Sequence, residues 1–142
     1  MEKTLIAGFI SRYALGNESE AVTWNVKDKL LTTDFKTADK TCKGSVSVKG
    51  IDLPDTEIGI IDTEQLSRML NILDNDIIID IRKQKGKSIS LDVSDNKTSL
   101  SYILGQLDII PKPGKLKMIP TFVCNIDVDT EFSSRFIKSK GA

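Results

Sequence analysis

The sequence contains no histidine, and this absence limits the chemistry that the chain can perform. Histidine is the usual general base near neutral pH and the commonest metal ligand, so a serine or cysteine nucleophile would lack its ordinary partner. Only two cysteines are present, Cys42 and Cys124, and their wide spacing matches neither a zinc motif nor a disulfide framework. We therefore expect two free thiols that are buried or half-buried.

The chain also lacks an excess of either charge, because 20 Lys and Arg balance 20 Asp and Glu among its 142 residues. This balance excludes a polycationic tail as the mode of nucleic-acid binding, but it is compatible with a basic face opposite an acidic one. No apolar run approaches the roughly 18 residues of a membrane span. The apolar stretch 5–10 is shorter than that of a signal peptide, and Arg12 follows it. We predict a cytoplasmic protein without a membrane segment, located in the host cell if the chain is of phage origin.

A first helix is predicted over residues 4–15. Apolar side chains recur on one side of its helical wheel, namely Leu5, Phe9, Ile10 and Tyr13. Ile6 and Ala14 flank this apolar side. The opposite side carries the small residues Ala7, Gly8 and Ser11, with Lys3 and Arg12 on the two flanks. Gly16 and Asn17 are typical of a helix end.

A second helix is predicted to begin after Asp62. Asp62 can cap it, Gln65 stands where a capping box needs it, and Ile61 with Leu66 can form a hydrophobic staple. Apolar residues then follow at helical spacing at Leu66, Met69, Leu70 and Leu73. Arg68 lies on the far side of this helix.

Period-two alternation predicts strands in the rest of the first 107 residues. Alternating segments lie at 22–26, 46–48, 58–60, 89–93 and 100–104. The polar segment 34–43 is compatible with a loop or an irregular strand. Residues 77–81 are nearly all apolar, so we expect this strand to be buried on both faces. A basic turn at 83–87 follows it and opens an antiparallel meander.

Three of the four prolines lie in residues 108–120, which we interpret as a connector. After it, alternation from Phe122 to Val128 predicts a strand, and Asp129 is placed to cap a last helix with Phe132, Phe136 and Ile137 facing inward. This order of strand, Asp cap and helix repeats that of residues 58–73. The predicted domains are therefore 1–107, the connector 108–120, and 121–142 as the opening strand and helix of an incomplete second domain.

No glycine-rich nucleotide-binding loop and no nucleophile elbow is present. Carboxylates are plentiful and leave a magnesium site open, at Asp74, Asp76, Asp80, Asp92, Asp95, Asp127 and Asp129. Turn and cap positions are nevertheless the usual places for Asp. The basic run 82–87 could bind phosphates, although a solvated hairpin tip is the simpler interpretation. We predict a non-enzymatic protein without a metal or cofactor.

The order of elements resembles the DNA sliding clamps that hold polymerases on their template, of the T-even phage and proliferating-cell-nuclear-antigen type. The stretch from Ile60-Ile61-Asp62-Thr63-Glu64-Gln65-Leu66 to residue 81 is similar to the clamp segment that contains the second helix of the first domain. Residues 104–138, with Phe122-Val123-Cys124-Asn125-Ile126, are similar to the clamp's domain junction. The resemblance implies an α+β fold of antiparallel sheets with two short helices on one face of each domain.

In this family the sheets form the outside of a ring, and basic residues on the helices meet DNA phosphates without reading the sequence. Carried over to this chain, the DNA-binding candidates are Lys3, Arg12, Arg68, Arg135 and Lys138. The resemblance also implies double-stranded DNA, DNA polymerase and clamp-loader peptides as partners, and a homo-oligomer. An apolar pocket for those peptides is expected near Ile109, Ile110, Leu116 and Met118.

A complete phage-type clamp subunit has two domains of comparable size, so this chain looks like a truncated clamp. The main alternative is a phage or virion α+β protein-interaction module with no DNA role, whose helices would not turn their charges toward one surface. A carboxylate-metal hydrolase ranks well behind both.

Overall fold

The structure is a computed structural model, and it describes residues 1–19, 21–114, 118 and 121–141. The elements in these residues are, in chain order, α1 (Lys3–Ala14), β1 (Val22–Lys27), β2 (Leu30–Lys36), β3 (Lys43–Lys49), β4 (Thr56–Ile60), α2 (Thr63–Ile72), β5 (Ile78–Gln84), β6 (Lys87–Ser94), β7 (Ser99–Ile103), a 3₁₀ turn (Leu107–Ile109) and α3 (Thr130–Lys140). The predicted α+β class is confirmed. The uncertain segment 34–43 divides into the end of β2, a loop and the start of β3.

The strands form two antiparallel sheets, one in the order β3-β2-β1-β4 and the other in the order β5-β6-β7. The sheets meet where the Gly105 N–H donates to the Gly59 carbonyl over 2.9 Å. A Cβ on Gly59 would lie 2.7 Å from the Gly105 carbonyl oxygen, closer than such atoms can approach. Glycine at this position therefore permits the junction between the two sheets.

The order of elements repeats within residues 2–103. A bridge between Glu2 and Asp76 precedes α1, which leads into the meander β1-β2-β3, whereas β4 precedes α2, which leads into β5-β6-β7. The first hairpin of each meander turns through two residues with positive φ, Asp28-Lys29 and Lys85-Gly86. This repeat differs from the predicted one, which compared residues 58–73 with 122–137.

The core lies between the helices and the sheets. The predicted inner face of α2 is confirmed, because Leu66, Leu70 and Leu73 are buried and Met69 packs against the core. Helix α1 is rotated slightly from its predicted orientation. Ile6 is buried while Leu5 is 36% exposed, so the apolar face is centred on Ile6, Phe9, Ile10 and Tyr13.

The expectation that β5 is buried on both faces is wrong. Ile77, Ile79 and Ile81 are buried in the core. Ile78, which points to the opposite face of the strand, is 72% exposed. Strand β5 pairs with β6 alone among the described strands, and one face of this sheet is open. An apolar run therefore did not signal two-sided burial here.

The last segment also departs from prediction. Residues 121–129 contain no strand, and the side chains at Phe122, Val123, Ile126 and Val128 are exposed. Asp129 does cap α3, since its Oδ1 accepts from the Phe132 N–H over 2.7 Å. The three residues expected to face inward, Phe132, Phe136 and Ile137, are 49%, 60% and 71% exposed.

Both cysteines are exposed free thiols, which corrects the expectation of burial. Cys42 lies in the loop before β3, and Cys124 lies in the irregular segment before α3. Among the described residues, none of the helices combines the length and apolar character that crossing a membrane requires.

Candidate nucleic-acid interface

Helices α1 and α2 form an antiparallel pair that is tied at both ends. The Tyr13 hydroxyl and the Thr63 hydroxyl share a hydrogen bond of 3.3 Å, which joins the end of α1 to the start of α2. The Lys3 ammonium donates to the Leu73 carbonyl over 2.5 Å, which joins the start of α1 to the end of α2. The two ties place the middle of α2, with Arg68, level with the middle of α1.

A buried aromatic cluster holds the C-terminal half of α1 on the sheet. The ring of Phe9 meets those of Tyr13 and Trp24 edge to face, each with centroids 5.5 Å apart. The Trp24 Nε1–H donates to the Tyr13 hydroxyl over 3.3 Å. Burial is the main reason that the pKa of Tyr13 rises to about 12. The cluster therefore lies on the buried side of α1, opposite the helix face that is turned away from the sheet.

The outer face of α1 carries small side chains and almost no charge until its last turn. Ala7 and Gly8 are half-buried, Ser11 is exposed, and a Cβ added to Gly8 would meet nothing within 4 Å. Arg12 is exposed at the C-terminal end and forms no ion pair with the residues that the structure describes. A cation at a helix C-terminus is favourably placed. The face therefore offers close approach beside one guanidinium.

The N-terminus of α2 is fixed by two residues from different elements. The Asp62 carboxylate accepts from the Gln65 N–H over 2.8 Å, as predicted for the cap. The other half of the predicted capping box is replaced, because the Asp62 N–H donates to the Tyr102 hydroxyl over 2.9 Å. Ile61 is 46% exposed and lies against Gly105.

Arg68 projects from the exposed side of α2 and pairs with Glu64 one turn earlier. Such exposed pairs on one helix contribute only about 0.3–0.5 kcal/mol. A phosphate could therefore replace the Glu64 carboxylate at small energetic loss, and Arg68 remains available to an anion.

Lys3 occupies a different position from the other candidates. It is half-buried, and its ammonium is engaged by the Leu73 carbonyl at the C-terminal end of α2. This contact satisfies a carbonyl that the helix leaves without an internal donor. Lys3 therefore has a structural role in the helix pair, whatever else it contacts.

The two candidates on α3 are exposed, but packing does not bring them to the α1–α2 pair. Arg135 pairs with Glu131 over 2.6 Å, and Lys138 makes no ion pair with any described residue. The uncovered apolar side chains of α3 show that the described part of the chain does not cover this helix. Lys3, Arg12 and Arg68 thus lie on the packed pair of helices α1 and α2, whereas Arg135 and Lys138 lie on α3, whose apolar side chains are exposed.

The clustered carboxylates are engaged in local hydrogen bonds. Asp95 accepts from the backbone N–H groups of Asp74, Lys97 and Thr98, which lowers the pKa of its carboxyl. The pKa of Asp92 is lowered first by the Ser101 hydroxyl and also by Arg82. Within the described residues, no group of three or more Cys, Asp or Glu is arranged to hold a metal ion.

The start of the connector lies on the outer face of the first sheet. Lys112 pairs with Glu57 of β4 over 2.8 Å, and Pro111 and Pro113 line a shallow groove of about 270 Å³ beside Asp34 and Phe35 of β2. Of the predicted pocket residues, Ile109 and Met118 are exposed. Leu116 lies outside the described residues. Ile110 is buried against Gly59, so it does not line an open pocket.

The chain matches no family model, and a search of the curated proteins finds no match to its sequence. The crystal structure of the DNA polymerase III subunit beta from Pseudomonas aeruginosa is similar in fold, with a TM-score of 0.56 over 81% of this chain and 16% sequence identity. The chain spans 32% of that chain's length. This likeness agrees with the predicted sliding-clamp-like fold, and at this identity it shows the fold alone. The narrower phage or nuclear-antigen type stays a prediction.

Proposed function

We propose that this chain is a non-catalytic DNA polymerase processivity factor, either a sliding clamp or a part of one, that contacts duplex phosphates without reading the sequence. The observation that carries the proposal is the antiparallel α1–α2 pair. Its outer side presents small residues next to the exposed Arg12 and Arg68, in a fold similar to DNA polymerase III subunit beta.

The surface chemistry of the helix pair suits a sliding contact. Small side chains on α1 let a phosphate backbone come close to the helix. Two separated guanidinium groups supply affinity that is weak, exchangeable and independent of sequence. A dense basic patch would instead hold DNA in one place, and α1 and α2 carry no such patch.

Four residues are proposed as phosphate contacts, namely Arg12, Arg68, Arg135 and Lys138. Arg12 and Lys138 have no ion pair among the described residues, and the partners of Arg68 and Arg135 are exposed glutamates that a phosphate can displace. Lys3 stays a candidate from the family resemblance only, since its ammonium binds the end of α2.

Partners of this chain are proposed on the same basis. Strand β3 pairs only with β2, and β7 only with β6, within the described residues. Unpaired strand edges suit pairing with a second copy, which supports a homo-oligomer. The groove beside Pro111 and Pro113 suits an extended peptide from a DNA polymerase or a clamp loader.

The proposal is tested by fluorescence anisotropy with two short duplexes of unrelated sequence. We expect equal and weak affinities for the two, and binding that weakens between about 50 and 200 mM salt with a log–log slope near −0.9 per phosphate contact. Four contacts correspond to a slope of about −3 to −4. No binding at low salt, or clear preference for one duplex, would favour the protein-interaction module instead.

A further inference from the structure

The tip of the β5–β6 hairpin is the most strongly basic segment of the described surface. Residues 82–87 read Arg-Lys-Gln-Lys-Gly-Lys, and all six are exposed. Arg82 pairs with Asp92 over 2.7 Å. None of the three lysines, Lys83, Lys85 and Lys87, makes an ion pair with a described residue. The tip therefore carries three uncompensated positive charges.

The equivalent hairpin of the first meander differs in this respect. It also carries three lysines close together, because Lys27 and Lys49 both lie opposite Leu30 and Lys29 occupies the turn. Carboxylates are interleaved with them. Asp28 stands in the turn itself, and Asp55 accepts from the Asp28 N–H over 2.9 Å. Two hairpins of the same turn geometry thus differ in net charge.

The register of the β5–β6 hairpin spreads its lysines around the tip. Lys83 lies opposite Ser88, and Lys87 lies opposite Gln84. Because neighbouring residues of a strand point to opposite faces, Lys83 and Lys87 leave from different faces, and Lys85 stands in the turn between them. This arrangement suits an extended polyanion better than a single carboxylate.

The composition of the tip favours nucleic acid over an acidic protein. Protein interfaces depend on aromatic or aliphatic anchors, and residues 82–88 contain no apolar side chain. Phosphate contacts need only positive charge, and Lys provides it as a flexible point charge. We propose that the β5–β6 tip is a second contact for the phosphate backbone of duplex DNA, separate from the α1–α2 face. This inference rests on the duplex-binding role proposed above.

The test compares four forms of the 142-residue chain: the unaltered chain, the hairpin variant K83Q/K85Q/K87Q, the matched control K27Q/K29Q/K49Q, and the helix variant R12Q/R68Q. Anisotropy with a short duplex is recorded across about 50–200 mM salt. We expect the hairpin variant to reduce the magnitude of the salt slope by about 2–3, at roughly 0.9 per lysine, and the matched control to leave it unchanged.

The outcomes separate this inference from the proposed function. If the unaltered chain binds duplex and the hairpin variant keeps its slope, the hairpin contact is refuted and the proposed function stands. If the hairpin variant alone reduces the slope, the hairpin contact is supported and the assignment to the helices fails. If the unaltered chain binds no duplex, both fail.

Two further arms complete the experiment. Polyglutamate replaces DNA as the probe, and a loss of polyglutamate binding without a change in the duplex slope would overturn the inference in favour of an acidic protein. Trp24 emission and circular dichroism must match the unaltered chain. If the triple variant does not fold, K83Q, K85Q and K87Q are measured singly, and each is expected to change the slope by about 0.9.

Discussion

The Tyr102 hydroxyl closes the N-terminus of α2 by binding both backbone groups of Asp62. It accepts from the Asp62 N–H over 2.9 Å and donates to the Asp62 carbonyl over 3.1 Å. Tyr102 lies on β7, the last strand of the second sheet, so a distant element sets the position at which α2 begins. Arg68 therefore projects from a helix whose N-terminus is held in place by the second sheet.

Replacing Tyr102 by Phe should lower the free energy of unfolding by about 1–2 kcal/mol, because both bonds are lost while the buried ring is kept. Urea denaturation followed by Trp24 fluorescence measures the change. Gln65→Ala is the matched control, and its effect should stay within about 0.5 kcal/mol since the exposed Gln65 side chain is replaced in the capping box by Tyr102. Equal losses for the two variants would contradict this role of Tyr102.

Replacing Gly59 by Ala should destabilise the junction of the two sheets. The new Cβ would clash with Ile110 Cδ1 and would lie 2.7 Å from the Gly105 oxygen, and the backbone contact cannot be relieved by a rotamer change. We expect a loss of about 1–3 kcal/mol in thermal or urea unfolding. Gly8→Ala, where the space is open, should instead stabilise α1 by about 0.5–1 kcal/mol. A neutral Gly59→Ala would show that the sheets do not meet as described.

We expect the free energy of unfolding to fall in alkali because of the raised pKa of Tyr13. Its pKa is raised from 10.0 to about 12 in the folded chain, so the unfolded chain releases this proton first. The contribution of the neutral hydroxyl is fully present below pH 10 and is lost as the pH rises from 10 to about 12, by about 2–3 kcal/mol in total. Unfolding measured across this range should decline less in Tyr13→Phe. A parallel decline in both proteins would contradict the assignment to Tyr13.

The double variant Arg12→Gln with Lys138→Gln tests two positions that have no competing ion pair in the described part of the chain. Removing two phosphate contacts should reduce the magnitude of the salt slope of duplex binding by about 1.8. Both side chains are exposed, so the free energy of unfolding should change by less than about 0.5 kcal/mol. An unchanged slope in a folded variant would exclude both residues as phosphate contacts.

Lys3→Gln distinguishes the structural role of Lys3 from the role that the family resemblance implies. We expect a loss of stability of about 0.3–1 kcal/mol, because the C-terminal end of α2 loses its cation. The salt slope of duplex binding should not change. Arg12→Gln is the comparison on the same helix, and there the magnitude of the salt slope should fall by about 0.9. If the magnitude of the salt slope fell by about 0.9 in Lys3→Gln, Lys3 would count as a DNA contact after all.

The local signals of the sequence were reliable where a short segment decides its own structure. The cap at Asp62 and the spacing of Leu66, Leu70 and Leu73 predicted α2 together with its buried face. Asp129 predicted the start of α3 in the same way. Within residues 2–103, the order of helices and strands that carried the resemblance to sliding clamps likewise agrees with the observed fold.

Predictions that depended on distant partners were less successful. The apolar run at Ile77–Ile81 did not reveal that its outer face stays open, because sheet pairing and coverage depend on other elements. The alternation from Phe122 to Val128 predicted a strand, but the described residues supply no neighbouring strand that would pair with it. A strand pattern without a partner leaves backbone donors and acceptors without a ladder.

The candidate interface shows the same difference between local features, which the sequence predicts, and contacts between distant residues, which it does not. From the sequence alone, Arg12, Arg68, Arg135 and Lys138 could be placed on the polar sides of helices, since helical periodicity is a local property. Only the tertiary structure showed that α1 and α2 are antiparallel, that the Lys3 ammonium binds the end of α2, and that the lysines of one hairpin lack the carboxylates of the other. These relationships join residues that are far apart in the chain, so local periodicity could not predict them.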